Sequence, residues 1–406
     1  MGAAGDVDGG GSVRHALTSR GNIVTRRLGC VRAHRRWSAA TGHTSGRRHG
    51  TAGRTPLLAP SEKSTGTGSS EFVVTFREGR GVPGWVERNK QSPVPGLWPY
   101  GLDLLSGAGL PVKSVEVPDL SGLGRRLAGA IGARRPRGGA GTTALAWDET
   151  SAVPMYSGIP AYHHFSGVIW ATDAVAAGER SAALDLAART LPRFDGLWVL
   201  SRPQAEKVQQ WLGAGSPPVH FLRFGVDADF YAAAPYPDEP HVVSVGGDRD
   251  RDPATLFEAL RLVLAARPGT RVTVQSGTDL PVPDGVTVVP RLPHVEVRDL
   301  LASATVTAIA TRHNLHASGM TVGLESLSTG RPVVACATPG MDDYFGEDRA
   351  RLVPPADPAA MADEILGLLG DPAGAAAMGE AGAAVVRERY TTGTMCADLA
   401  SILTGR

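Results

Sequence analysis

From Phe72 onward, short apolar runs alternate with stretches of helical spacing. Phe72–Phe76, Val112–Val117, Thr143–Trp147, Gly167–Ala171, Gly196–Leu200 and Val219–Arg223 each read as a buried strand. Apolar residues recur at helical spacing between 174 and 192, and Pro192 closes that helix. Tyr236-Pro237-Asp238-Glu239-Pro240 is a turn-rich linker. A second cycle follows, with strands at His241–Val245, Arg271–Gln275, Val286–Val289, Val306–Ala310 and Pro332–Ala335. Its helices begin near Pro253, Val295, Thr321 and Pro358, and Asp357-Pro358 pairs an N-cap with a first-turn proline. Repeated strand–helix alternation predicts α/β architecture: two Rossmann-like, doubly wound domains facing a cleft. The expected divisions are 71–235, 236–386 and a final helix over 387–406 that packs back across the domains.

Residues 1–70 break the pattern, being rich in Gly, Ser, Thr and Arg without an apolar period. They are expected to be a disordered tail, or upstream DNA read from a wrongly chosen start. No apolar stretch in them suits a secretory signal. The charge supports the division. The chain of 406 residues has a net charge of +1, yet residues 1–60 carry ten Arg against Asp6 and Asp8. The remainder, with 31 basic and 38 acidic residues, is mildly acidic, which gives no general case for nucleic acid. Four Lys against 37 Arg suggest a GC-rich bacterial genome. Three Cys exclude a disulfide scaffold and fit a reducing, cytoplasmic setting. No apolar run reaches the roughly 18 residues of a membrane span.

The chemistry concentrates in His316–Ala335. A strand runs into a loop with His316, Ser318 and Gly319; a helix opens near Thr321 and stops at Gly330. The N–H groups of Gly319, Met320 and Thr321 at that helix start favour an anion such as a diphosphate. Glu325, one turn in, either accepts hydrogen bonds from a diol or is a helix-favourable surface carboxylate. Ser201 suits a helix N-cap better than a nucleophile, since no Gly-x-Ser-x-Gly surrounds it. Gly124–Arg137 is basic and partly amphipathic. It reads as a solvated face, or as a peripheral contact to anionic lipid through 125–137.

Gly319-Met320-Thr321-Val322…Glu325-Ser326-Leu327-Ser328-Thr329-Gly330-Arg331-Pro332-Val333-Val334 resembles the donor-binding signature of GT-B glycosyltransferases, family 4 in particular. Phe224-Gly225-Val226-Asp227…Phe230, the turn Val245-Gly246-Gly247 and the segment Leu352–Asp357 resemble other parts of that family. The resemblance covers about 168–405. It implies that Glu325 binds a nucleotide ribose and that the Gly319–Thr321 amides face the donor diphosphate, with Gly246 and Gly247 beside it. It implies Arg249 and Arg251 as the cations for the leaving diphosphate, where family members have an Arg and a Lys. Asp173 falls roughly where the family has a His or Asp near the acceptor; its other reading is the N-cap of the following helix. His163 and His164 are expected to line the acceptor side, or one of them to be a satisfied core histidine. The sequence departs from the family at Ala317, where a second Glu is common, leaving His316 or Ser318 as its replacement.

Asp248-Arg249-Asp250 also matches the metal-binding Asp-x-Asp of GT-A enzymes. The triplet is common, however, and arginines interleave here, so no metal and no resident cofactor are expected. No third ligand at useful spacing supports a zinc site. The resemblance implies glycosyl transfer from a nucleotide-diphosphate sugar to an acceptor hydroxyl, with retention, the acceptor being a small molecule, a lipid-linked compound or a glycan. A sugar-nucleotide epimerase and a non-catalytic sugar-nucleotide-binding partner protein remain as alternatives.

Overall fold

The computed structural model describes residues 70–119 and 141–406, all in one compact unit. The expected tail therefore lies outside the described residues except for Ser70, as does the whole basic stretch at 125–137.

Two six-stranded parallel sheets are present. Strands β1 (Glu71–Arg77), β2 (Val112–Val117), β3 (Thr142–Ala146), β4 (His163–Gly167), β5 (Gly196–Val199) and β6 (Val219–Phe221) run in the order β2-β1-β3-β4-β5-β6. Strands β7 (His241–Ser244), β8 (Arg271–Gln275), β9 (Val286–Val289), β10 (Val306–Ile309), β11 (Val333–Cys336) and β12 (Ala350–Val353) run in the order β12-β11-β10-β7-β8-β9. Central strands β5, β7, β10 and β11 are buried at every residue. Helices that cover both faces of a parallel sheet produce that pattern and the continuous apolar runs of the sequence.

The described helices of the first half are α1 (Val82–Gln91), α2 (Glu149–Gly158), α3 (Ala171–Ala176), α4 (Ala182–Thr190) and α5 (Arg202–Leu212). Those of the second are α6 (Pro253–Ala266), α7 (His294–Ala302), α8 (Met320–Ser328), α9 (Pro358–Gly370), α10 (Pro372–Arg389) and α11 (Thr392–Thr404). Three open identically: Asp252, Asp357 and Asp371 accept from the amide three residues on, and a proline follows each. Ser201 caps α5 as expected.

Several expectations need correction. The fourth strand ends at Gly167 instead of beginning there, because the amides of Ile169, Trp170 and Ala171 go to the Glu149 carboxylate and not to a ladder. The single helix over 174–192 is two, α3 and α4, with Gly178 at φ +71° between them. Strand β12 and most of α10 were not anticipated, and the final helix begins at Thr392, not 387.

The connection between the sheets is held by Arg331, which is 1% exposed. Its guanidinium donates to the carbonyls of Ala302, Ala234, Gly330 and Pro235, with no acidic partner among the described residues. Helix α11 returns to the first half. Thr391 bridges Val226, Cys396 Sγ donates to the Gly101 carbonyl at 3.3 Å, and Gly225 sits so close that a Cβ would lie 2.1 Å from the Thr391 oxygen.

Candidate functional site

In the second sheet β7 has β8 on one side and β10 on the other. The chain reverses its winding there, and such a switch point opens a crevice at the strand carboxyl ends. The loop after β7 and the loop after β10 meet across it. Arg251 bridges Thr311, Asp252 N–H donates to the Ala310 carbonyl at 3.0 Å, and Arg312 N–H donates to Asp250 at 2.8 Å. Thus Gly246–Asp252 and Ala310–Gly319, remote in sequence, become one surface. A pocket beside them is lined by Gly246, Gly247, Arg251, Ser276, Gly277 and Arg312, among others.

Helix α8 starts at Gly319, whose φ of +89° is a left-handed conformation that glycine adopts without strain. A Cβ there would also strike Ile309 Cγ2 at 2.5 Å. Met320 N–H closes a turn to Ala317, while the amides of Gly319, Thr321 and Val322 have no hydrogen-bond partner among the described residues. Of the three amides expected to face an anion, Gly319 and Thr321 are therefore available, and Val322 replaces Met320.

Arg251, its side chain 13% exposed, packs against this helix start. Its guanidinium leaves no room for a side chain at Gly246 (φ +128°), where a Cβ would lie 2.2 Å from Nη2, and it lies 3.2 Å from the Cβ position of Gly319. Burial lowers its pKa, opposed by Asp248, yet an arginine remains charged. Glu325 is 9% exposed, and burial pushes it up to about 7 against the pull of Tyr231 and Arg251. The Tyr231 hydroxyl is buried without a hydrogen bond; its own pKa is raised by burial and by the facing Glu325. Apart from the facing Tyr231 hydroxyl, no described residue offers a hydrogen bond to the Glu325 carboxylate. Arg249 is half-exposed, pairing with Asp250 at 3.1 Å and reaching the Trp170 carbonyl at 3.5 Å.

Across the cleft, Asp173 lies in the first turn of α3, so the N-cap alternative is excluded. Its Oδ1 accepts from Leu315 N–H at 2.5 Å and its Oδ2 contacts His316 Nδ1 at 2.7 Å. Both oxygens serve the second half of the molecule. His316 packs beside Trp170, with ring centroids 4.9 Å apart. Ser318 Oγ donates to both Asp248 oxygens at 2.8 and 2.9 Å, and its N–H is held by Asn314 Oδ1 at 2.8 Å.

His163 and His164 are not brought to this place. With the strand corrected, they open β4 at the sheet edge opposite the carboxyl ends. His163 pairs with Asp195 at 2.9 Å, and His164 is fully buried near Tyr156 and Phe194. Tyr231, Asn314 and Trp170 join the site unforeseen, since only tertiary neighbours reveal them. Ala317, at the departure from the expected pattern, is fully buried in a left-handed conformation with φ +52°.

Residues 240–371 match the family described as glycosyl transferases group 1. None of the curated proteins matches the chain in sequence. Solved structures of similar fold include sucrose-phosphate synthase from Thermosynechococcus elongatus, with 16% identity, a TM-score of 0.59, and coverage of 83% of this chain and 98% of that one. HepE from Anabaena, in complex with UDP and glucose, has 14% identity and a TM-score of 0.58, covering 82% of this chain and 99% of its own. A TarM variant from S. aureus, in complex with Fondaparinux, alpha-GlcNAc-glycerol and UDP, has 14% identity and a TM-score of 0.57, covering 69% and 59%. Residues 240–371 are thus similar to group 1 glycosyl transferases, and the two-sheet architecture is similar to that of the GT-B fold.

Proposed function

We propose that the protein transfers a glycosyl group from a nucleoside-diphosphate sugar to an acceptor hydroxyl, with retention of configuration. The observation that carries this reading is the start of α8. Unpartnered amides, a largely buried guanidinium and a buried carboxylate faced only by the Tyr231 hydroxyl surround one crevice. The amides and Arg251 suit a diphosphate. Glu325 suits the vicinal hydroxyls of a ribose, which would supply the hydrogen bonds it lacks. UDP is the natural first ligand to test, because HepE and TarM have been solved with it.

The acceptor would approach from the first half. Retention through a covalent intermediate needs a carboxylate at the anomeric carbon. Ala317 offers a methyl group where the resembled family commonly has Glu, and both Asp173 oxygens are engaged. Front-face attack, with the departing phosphate taking the hydroxyl proton, fits better. The protein then contributes positioning and a fixed positive field at the leaving diphosphate. Arg251 and the α8 amides supply that field, and Arg249 at the mouth adds to it.

A thermal-shift screen of nucleotides and nucleotide sugars tests the binding step, because a ligand of the folded state raises its melting point. UDP or another nucleoside diphosphate should stabilise the native protein and stabilise Glu325→Ala less at the same concentration. Product analysis with an acceptor panel tests the chemistry. Binding without turnover would point to the non-catalytic alternative, and conversion of the donor without an acceptor to an epimerase.

A further inference from the structure

Asp248, Asp250 and His316 each present one ligand atom, and these atoms lie within 4.8 Å of one another. The acidic pair alone would mean little; His316 gives the group its meaning. Its side chain is 5% exposed, and its Nε2 is buried without a hydrogen-bond partner. The Asp173 carboxylate contacts Nδ1 at 2.7 Å, which orients the ring and, in the neutral imidazole, leaves a lone pair outward on Nε2. That lone pair faces Asp250 Oδ2 at 3.8 Å, beyond hydrogen-bond range. Two electron-rich atoms are thus held facing each other across a gap that suits a cation.

We propose that Asp248, Asp250 and His316 form a binding site for a divalent transition-series cation, Mn²⁺ or Zn²⁺, with Asp173 as the positioning carboxylate. A mixed imidazole and carboxylate set suits these ions better than Mg²⁺, which prefers oxygen alone. Ligands about 2.0–2.2 Å from a metal stand roughly 3–3.5 Å apart, so the three groups need to close by about 1 Å. Ser318 Oγ already orients Asp248, at 2.8 and 2.9 Å from its two oxygens. Two cations oppose the site. Arg251 Nε lies 3.4 Å from Asp248 Oδ2 and is buried, so it stays and lowers the local negative charge. Arg249 contacts Asp250 at 3.1 Å but is 47% exposed, so it can leave for solvent when a metal arrives. The arrangement departs from the metal-free expectation because only the fold brings His316 to the Asp-x-Asp triplet. It does not depend on sugar transfer.

The test uses the full chain, freed of metal with a chelator and titrated with Mn²⁺ alone, free Mn²⁺ being read by electron paramagnetic resonance. One saturable site per chain is expected in the native protein. His316→Ala should abolish it, and Asp173→Asn should weaken it about 10–100-fold, the usual effect of losing a positioning partner. Arg249→Ala should bind at least as tightly as the native protein. Melting curves without metal identify variants that fail to fold; if His316→Ala is one, Asp250→Asn takes its place with the same expected loss. No saturable binding of Mn²⁺ or Zn²⁺ by the native protein would overturn the proposal and assign the gap to an imidazolium between two carboxylates. Native-like affinity in the folded His316→Ala or Asp250→Asn variant would overturn it as well.

Discussion

Each half of the molecule buries a glutamate near the cleft, and the two are used differently. Glu149, at the start of α2, is 8% exposed; Glu325, in α8, is 9% exposed. Burial pushes both up to about 7 from the ordinary 4.5, with Asp148 adding to the shift of Glu149. Yet Glu149 accepts hydrogen bonds from the amides of Ile169, Trp170 and Ala171 at 2.8, 2.9 and 2.7 Å. Glu325 is faced by one described donor, the Tyr231 hydroxyl, which does not close a well-aligned hydrogen bond to it. The first is a strut: it ends β4, starts α3 and so sets Asp173, which holds His316. The second has acceptor capacity left over in a place where water is scarce. Equal burial and similar ionisation therefore do not distinguish a structural carboxylate from a ligand-binding one; the count of donors does.

The largest test of this contrast is Glu149→Ala. It strands three amides, each worth about 1–3 kcal/mol when left unpaired in the interior, so urea unfolding should show a loss of at least ~3 kcal/mol. A loss under ~1 kcal/mol would show that water replaces the carboxylate and that Glu149 is no strut. Next comes Glu325→Ala. Hydrogen bonds to a charged group are worth about 1.5–3 kcal/mol, so calorimetry should show nucleoside-diphosphate affinity falling roughly 10–100-fold. Unchanged affinity would remove Glu325 from the site.

A smaller effect separates the two residues by pH. A carboxyl whose folded pKa is raised holds its proton longer in the folded state. Its stabilising contribution is complete below about 4.5 and is lost as pH rises through about 7. Glu325→Gln removes that loss. Melting curves should match the native protein near pH 4.5 and show the variant more stable by roughly 1–3 kcal/mol at pH 8, a pKa unit being worth about 1.4 kcal/mol. Glu149→Gln keeps only one acceptor oxygen and should be destabilised at both pH values. The smallest effect is expected from Arg202→Ala. Arg202 is 67% exposed where it pairs with the buried Asp343, which keeps the backbone N–H of residue 202 as a partner at 2.9 Å in the variant, so the loss should be about 1 kcal/mol. A loss above ~3 kcal/mol would mean that the Arg202 guanidinium itself holds the halves together.

The sequence was legible where local rules dominate. β2, β8 and β9 fall at the expected residues. The Asp-Pro helix starts at 252 and 357 and the turn–helix–turn from Gly319 to Gly330 follow from capping and glycine chemistry. Errors arose where a tertiary partner overrode the local pattern. Val168-Ile169-Trp170-Ala171 is apolar enough for a strand, but Glu149 takes three of its amides. Helix α10 lacks a clear apolar period and contains Gly374, Gly379 and Gly382, which argue against a helix. Gly379 is needed because a Cβ there would lie 2.1 Å from the Gly330 oxygen, a contact that no local pattern shows.

By itself, the sequence determined most of the elements, their alternation and the chemistry each loop carries, because capping, periodicity and glycine placement act over a few residues. The tertiary structure alone decided which loops meet. Sheet order puts β10 beside β7, which joins His316 and Ser318 to the Asp248–Arg251 loop; closure of the two halves brings in Asp173, 143 positions before His316. Such pairings depend on strand order and domain packing, which are long-range properties. Hence Glu325 could be singled out from its own helix, while the partners of His316 appear only in the folded chain.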